Sequence, residues 1–349
     1  MSTAHALTGD AGPLPRNAGT RAVAVVQEGI APAGDGPAVD WSEIIARRAS
    51  EAACPTEPSD TALLELAPIV LETARVVLRN TVSMFPWRGW RILQAATSPT
   101  VGTAELAALV AEDPRVAARV LLAAYELADG QDIVADVRLA VARVGRRQLA
   151  EMVAVAGVEV LTEDAAKVCE QVYPELWKEL WTHAVTTCFS AGWLANRLGS
   201  VDVPTAVLGG LIHDVGKMVG LHAICLATQS GRIPMLPPET VAWLLRWTHI
   251  QIGTDVAGVQ NFPDSIFIVC RMHHAEVLPA VPFRRELAVV VVASTLTEIL
   301  SGNVLWDRSL SGPTRAARVL RLDQPYLNAL ATEVQRNLAR AEEWGAFAR

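Results

Sequence analysis

From Ser59 to the end of the chain, apolar residues recur at intervals of three and four, and nowhere do adjacent segments alternate with period two. That spacing gathers apolar side chains on one stripe of an α-helix and does not suit a half-buried sheet. The punctuation agrees. Asp113 precedes Pro114 as a capping carboxylate before a proline at the first helical position, and Asp136 stands before Val137, Val141 and Val144 as another cap. The spacing predicts helices over 62–82, 87–96, 103–110 (with Thr100 or Thr103 as cap), from 114 through Ala124, from 137 to Gly145, and 147–160. In the second half it predicts 174–198, 204–219, 238–259, 263–274, 286–300 and 325–341. The expected fold class is all-α.

Residues 1–58 read differently. Stretches such as GDAGPLPRNAG and APAGDGPAVD carry few large apolar residues and cannot offset the entropy of ordering. They are expected to form a disordered tail, with Asp40–Ala52 as a short amphipathic helix that places Trp41, Ile44 and Ile45 on one face. No internal repeat is visible.

The 349 residues are 51% hydrophobic and 19% charged, enough for a large core. The net charge of −7 and the lack of a basic stripe argue against direct nucleic-acid binding. Cys54, Cys169, Cys188, Cys225 and Cys270 are scattered and form no CxxC pair, which fits buried thiols in a reducing cytoplasm rather than a disulfide framework or a cysteine zinc site. The mean hydropathy of +0.27 raises the question of a membrane span. The most apolar run, Leu287–Leu296, lies between Glu286 and Glu298 and is shorter than the roughly 20 residues a span needs, so it reads as a core helix. No early basic region with a following apolar core marks a secretory signal. Trp177, Trp181, Trp193, Trp243 and Trp247 read mostly as core or interface filler. Arg146-Arg147 and Arg284-Arg285 read as solvated surface charge.

Histidine carries the functional signal. Of His5, His183, His213, His222, His249, His273 and His274, five (183, 213, 249, 273 and 274) fall beside apolar helix faces in the second half, where a bare imidazole would be costly. Each could be a core histidine satisfied by a carbonyl or hydroxyl. The competing reading is convergence: imidazoles from antiparallel helices, joined by Asp214, form one pocket suited to Zn, Mn, Fe or Ni.

The order His183, then HDVGK at 213–217, then His249, then the doublet His273-His274 is similar to that of the HD superfamily of metal-dependent phosphohydrolases, and more closely to its HDOD branch. LWTHAVTTCFSAGWLANRLG with AVLGGLIHDVGKMVGLH, THIQIGTDVAGVQNFPDSIFIVCRMHH, and the earlier EDPRVAARVLLAAY with VRLAVARVGRRQLAEMV carry the resemblance over about residues 84–300. It implies a multi-helix bundle: an N-terminal helical subdomain over 59–160, an HD-like helical subdomain over 161–310, and a C-terminal helix over 311–349. By analogy with two-metal HD proteins, His183, His213 and Asp214 would hold one ion. Asp214, His249, His273 and His274 would hold the other. Asp214 and Lys217 would be the catalytic residues, Lys217 meeting a substrate phosphate; the plainer reading of Lys217 is a cation on a helix C-terminal dipole.

Three departures bear on activity. Ala124-Tyr125-Glu126 replaces the usual Asn-Ser of the front segment. Ser294, in Val292-Ala293-Ser294, stands where catalytic HD proteins carry an Asp. HHAEVLPAVPF lacks the GYP-type motif of cyclic-di-GMP phosphodiesterases. The resemblance therefore implies a bacterial signal-transduction module with one ion rather than two and with weak or no catalysis, acting through signalling proteins or a nucleotide ligand. The alternatives are a metal-dependent phosphohydrolase or phosphodiesterase acting on a nucleotide, and a pocket that senses a ligand without turnover. Oligomeric state is left open.

Overall fold

The computed structural model describes residues 60–80, 87–128, 134–275, 278–302 and 312–347. The expected tail, its Trp41 helix, His5 and Cys54 lie outside these residues. Every described element is helical: α1 (Asp60–Asn80), α2 (Trp87–Thr97), α3 (Thr103–Ala111), α4 (Pro114–Glu126), α5 (Val137–Val144), α6 (Arg146–Val172), α7 (Pro174–Leu198), α8 (Val203–Ile212), α9 (Val215–Gln229), α10 (Pro238–Val259), α11 (Asp264–Met272), α12 (Arg284–Ser301), α13 (Gly312–Leu320) and α14 (Gln324–Phe347). No strand occurs among the described residues.

The caps explain several boundaries. The Asp113 carboxylate accepts from the backbone N–H groups of Arg115 and Val116, and Asp136 accepts from those of Arg138 and Leu139. The expected threonine cap of α3 is absent; Gly102 takes the N-cap position with no side-chain bond. α6 runs continuously past residue 160, so the division expected there falls inside one helix. It ends at Tyr173, whose hydroxyl donates to the Leu236 carbonyl (3.0 Å) and accepts from the Leu236 N–H (3.2 Å), pinning the α6–α7 junction to the segment before α10.

α7 and α9 are buried along most of their length. α9 packs on α10 and on α1, α7 packs on α8 and α12, and α6 lies against α2 and α9. One apolar core joins α1–α10 with the inner face of α11. A second lies between the C-terminal half of α7 and α12, α13 and α14. Val203–Gln229 is long and apolar enough to cross a membrane, but 94% of its apolar window is buried within the fold, where helix packing accounts for its composition. Leu287–Leu296 is buried in α12, as expected.

The arginine pair at 146–147 is not free surface charge. The Arg146 guanidinium donates to the carbonyls of Ala95, Ala96, Ser98 and Val101, closing the open C-terminal end of α2. Arg147 bridges Glu151 and Glu333, tying α6 to α14. The Arg146 acceptors and Glu333 lie far away in sequence, so local pattern could not show them; only the Arg147–Glu151 pair, four residues apart, is local. Arg285 is half-buried and reaches the exposed Ser200 hydroxyl at 3.0 Å. Cys169, Cys188, Cys225 and Cys270 are free and buried, as expected; Cys169 and Cys225 meet at 3.9 Å Sγ–Sγ. Of the tryptophans named above, Trp177 and Trp181 are buried, whereas Trp247 is 66% exposed.

Candidate metal centre

The centre is built where the apolar pattern conceals a break. The sequence predicts one helix over 204–219, but the chain interrupts it at His213-Asp214, between α8 and α9. Asp214 takes φ −101°, ψ 15° at the N-cap of α9 and makes no capping bond, because its carboxylate is engaged elsewhere. Two glycines allow the neighbouring backbones in. A Cβ at Gly210 would lie 2.9 Å from the Thr187 carbonyl oxygen on α7, and one at Gly216 would lie 2.0 Å from the His249 carbonyl oxygen on α10. Helices bearing His183 and His249 can therefore approach Asp214 from both sides, at positions where any larger residue would hold them apart.

The five histidines expected to converge do so. Their rings form a chain of neighbours: His183 to His213 at 5.1 Å, His213 to His273 at 5.1 Å, His273 to His249 at 5.5 Å, His249 to His274 at 5.1 Å, and His273 to His274 at 4.3 Å between centroids. His222 is buried on α9 and belongs to neither group of clustered ligand atoms. The ligand atoms of Asp214, His249, His273 and His274 lie within 4.8 Å of one another, as do those of His183, His213 and Asp214.

Asp214 divides the pocket between its two oxygens. Oδ1 faces His273 Nε2 at 3.2 Å and His249 Nε2 at 3.6 Å. Oδ2 faces His213 Nε2 at 3.3 Å, His183 Nε2 at 3.5 Å and Lys217 Nζ at 2.7 Å. Ser294, on α12, closes the second side with its hydroxyl 3.1 Å from His213 Nε2 and 3.3 Å from His183 Nε2. Lys217 occupies the first turn of α9, so it is not a cation at a helix C-terminus; it neutralises Asp214 at the centre of the cluster.

Ring tautomers follow from the partners. A carbonyl can only accept, so Nδ1 is the protonated nitrogen in His213 (to Gly210 O, 2.9 Å), in His249 (to Leu245 O, 3.0 Å, and Arg246 O, 2.9 Å) and in His273 (to Val269 O, 3.0 Å). Their Nε2 lone pairs point inward, the orientation that backbone acceptors impose on ligating histidines. His249 Nε2 is buried with no hydrogen-bond partner. In His183 it is Nδ1 that is buried without a partner, while Nε2 lies 3.1 Å from His213 Nε2. With the His213 proton on Nδ1, His183 Nε2–H is the donor in that contact.

Burial pushes His183, His249, His273 and His274 below the usual histidine range, His249 to about 3, and the neighbouring cationic or imidazole groups add to it. These rings are neutral, as metal ligands must be. Burial alone would raise the Asp214 carboxyl, but its surroundings, the Lys217 ammonium first, outweigh it and hold the group well below the ordinary range. Cys270, nearby on α11, is pushed up to about 12 by burial and then by Asp214; its thiol donates to the Ile212 carbonyl at 3.6 Å, and it belongs to neither group of clustered ligand atoms.

The donor set fits a divalent ion. Three imidazoles and a carboxylate suit Zn, Fe, Mn or Ni, and His183, His213, Asp214 and Ser294 make a second, poorer set with a hydroxyl where a carboxylate would serve a hard cation. The sequence identified all the histidines, Asp214 and the weak position at Ser294. It missed the glycine contacts at 210 and 216, although the pairing of small residues with His213-Asp214 was visible in GGLIHDVGK.

Comparison with known proteins agrees with this geometry. The chain resembles an HDOD domain protein of unknown function from Geobacter sulfurreducens, with a TM-score of 0.54 and 20% identity over 78% of this chain and 97% of that one. It also resembles a candidate signal transduction protein from Marinobacter aquaeolei, with a TM-score of 0.55 and 17% identity over 86% of this chain and 68% of that one. At these identities the likeness shows the fold. No curated protein matched the sequence. The model of the HDOD domain matches residues 83–276, more than half of the chain and all five clustered histidines; the chain belongs to the HDOD family.

Proposed function

We propose that this protein is a signal-transduction module whose buried pocket holds one divalent ion on Asp214, His249, His273 and His274, and that it does not turn over a phosphoester. The observation that carries the reading is the contrast in tautomers. His249 and His273 already present Nε2 lone pairs backed by helix carbonyls, so an ion would meet a ready-made set. His183 would first have to move its proton to Nδ1, which has no acceptor, and Ser294 would have to serve in place of a carboxylate.

A bound ion would supply Lewis acidity and a lowered pKa for any water it carried. The chain's own residues do little else toward hydrolysis. His183, His213, Asp214, Lys217, His249, His273 and Ser294 are each at most 7% exposed and His274 alone is partly exposed, which supports a mostly enclosed sensing or structural centre over a site open to a nucleotide. Binding then acts by fixing α9, α10 and α11 against each other, a surface for signalling proteins in a reducing cytoplasm. Phosphohydrolysis is the second reading, favoured by the two-sided engagement of Asp214.

Metal analysis of purified protein, with assays on cyclic dinucleotides and generic phosphodiesters, tests the proposal. One ion per chain without turnover is the expected result. Turnover abolished by Asp214→Ala would move the assignment to a phosphohydrolase, and a metal-free protein that cannot be loaded would end the metal reading.

A further inference from the structure

We infer that α7 carries a buried water site beside the metal centre: one ordered water takes the hydroxyl protons of Thr186 and Thr187 and donates to His183 Nδ1, fixing that ring in the form that keeps it off an ion. The inference rests on the one-ion reading above and names what holds His183 outside the ligand set.

His183, Thr186, Thr187 and Ser190 follow one another at helical spacing on α7, so their side chains share one stripe. Thr186, Thr187 and Ser190 are wholly buried. Ser190 has a partner, since its Oγ accepts from Asn337 Nδ2 on α14 at 3.1 Å. The threonines do not: neither Oγ1 meets a protein hydrogen-bond partner. That sets them apart from other buried threonines of this fold. The hydroxyls of Thr73, Thr162, Thr248, Thr295 and Thr297 each donate to the carbonyl four residues back, at 2.7–2.9 Å. Thr186 and Thr187 forgo that bond. On the same turn, His183 Nδ1 is a buried lone pair without a donor, because the ring proton is on Nε2 facing His213. The orphans are complementary: two donors lack an acceptor, and one acceptor lacks a donor. A water accepts two protons and gives one, and three bonds are the usual complement of a buried water. With both lone pairs taken by the hydroxyls, this water cannot accept from an Nδ1–H. An ion on His183 Nε2 needs the ring proton on Nδ1, so binding it there would break the water site.

The metal-free, full-length protein tests this. Oxygen-17 magnetic relaxation dispersion counts long-lived waters, urea midpoints read stability, and nitrogen-15 resonances of His183 read its ring. Thr186→Val combined with Thr187→Val should hold about one fewer long-lived water per chain. Its urea midpoint should fall, and the unprotonated His183 Nδ1 resonance should move downfield as it loses its donor. Thr187→Val alone carries the same comparison with a milder change. Thr186→Ser combined with Thr187→Ser keeps both hydroxyls and should keep the water and the wild-type Nδ1 resonance. An unchanged water count in the folded valine variants would overturn the inference. So would a raised midpoint, the outcome expected when a methyl replaces a hydroxyl that nothing satisfies. Either failure leaves the one-ion reading standing. A His183 proton found on Nδ1 in wild type would overturn the inference and also the tautomer contrast that carries that reading.

Discussion

His183 Nε2 and His213 Nε2 meet 3.1 Å apart in the protein interior, and only one of them can carry the proton. His213 gives its proton to Gly210 O through Nδ1, so His183 donates. This contact is complete without an ion, whereas His249 Nε2 is left with no hydrogen-bond partner. The two halves of one histidine cluster therefore differ in what they need.

The first prediction uses that difference. His249→Ala and His273→Ala should each weaken metal binding on the order of 100-fold or more, since removing a ligand costs at least as much as removing a residue that orients one. His183→Ala should change affinity less than tenfold. Isothermal titration with Zn(II) or Mn(II) reads all three, and equal losses would refute the assignment of the ion to the His249 side.

A second prediction concerns the helix crossing that brings His249 to Asp214. At Gly216 an added methyl would meet the His249 carbonyl oxygen at 2.0 Å and the Gly253 nitrogen at 2.6 Å, both backbone atoms that cannot turn aside. Gly216→Ala should cost about 3 kcal/mol or more, the upper end of overpacking penalties. Gly253→Ala faces the same crossing from α10, but its methyl would find its nearest neighbour at 3.5 Å, an ordinary contact. It should be tolerated. Denaturant midpoints for the two variants check the contrast.

How much of this was legible in the sequence depends on distance along the chain. The caps at Asp113 and Asp136 and the helix from Pro174 to Leu198 were readable because their causes are local. The break at His213-Asp214 was not, because the apolar pattern runs through it and the force that stops the helix is the engagement of Asp214 by Lys217 and by His273, from α11. Arg146 and Arg147 looked like solvated charge because the Arg146 acceptors lie 45–51 residues away and the link from Arg147 to α14, through Glu333, spans 186. The order of the histidines and the HDVGK segment pointed to the clustered residues; only packing could show which oxygen of Asp214 each one faces.

The same long-range arginines give a third prediction. Glu151 is 3% exposed and is held by Arg147 from α6 and by Arg340 from α14, whose guanidinium also lies 4.6 Å from the centroid of the Phe189 ring. Asn337 adds a buried bond to Ser190 at 3.1 Å. Arg340→Ala should destabilise the protein by about 2–3 kcal/mol, less than the roughly 3–5 kcal/mol of a stranded buried charge because Arg147 remains on Glu151. Hydrogen exchange should show α14 opening before the rest. Lys167→Ala, which removes exposed ion pairs to Glu163 and Asp164, should leave stability unchanged within error.

The last prediction is a pH dependence, worked out for the metal-free protein. His183, His249, His273, His274 and His222 all have folded-state values lowered from 6.5, first by burial. Above that value folded and unfolded chains both hold these rings neutral, and they contribute no pH dependence. Below it the unfolded chain takes up protons that the folded chain refuses, so stability is lost as pH falls from 6.5 toward each folded value, the window for His249 reaching down to about 3. Each ring that stays neutral costs about 1.4 kcal/mol per pH unit in this range. Asp214, lowered from 3.8, adds its own loss only under more acid conditions. Urea midpoints should therefore be flat from pH 8 to 7 and fall steeply from 6.5 to 5, with His222→Gln reducing the slope. Excess metal should deepen the acid loss, because protons displace the ion from the same rings. Midpoints that stay level down to pH 5 would mean that the cluster is protonated while folded, and a pocket of imidazolium rings could not receive a cation at all.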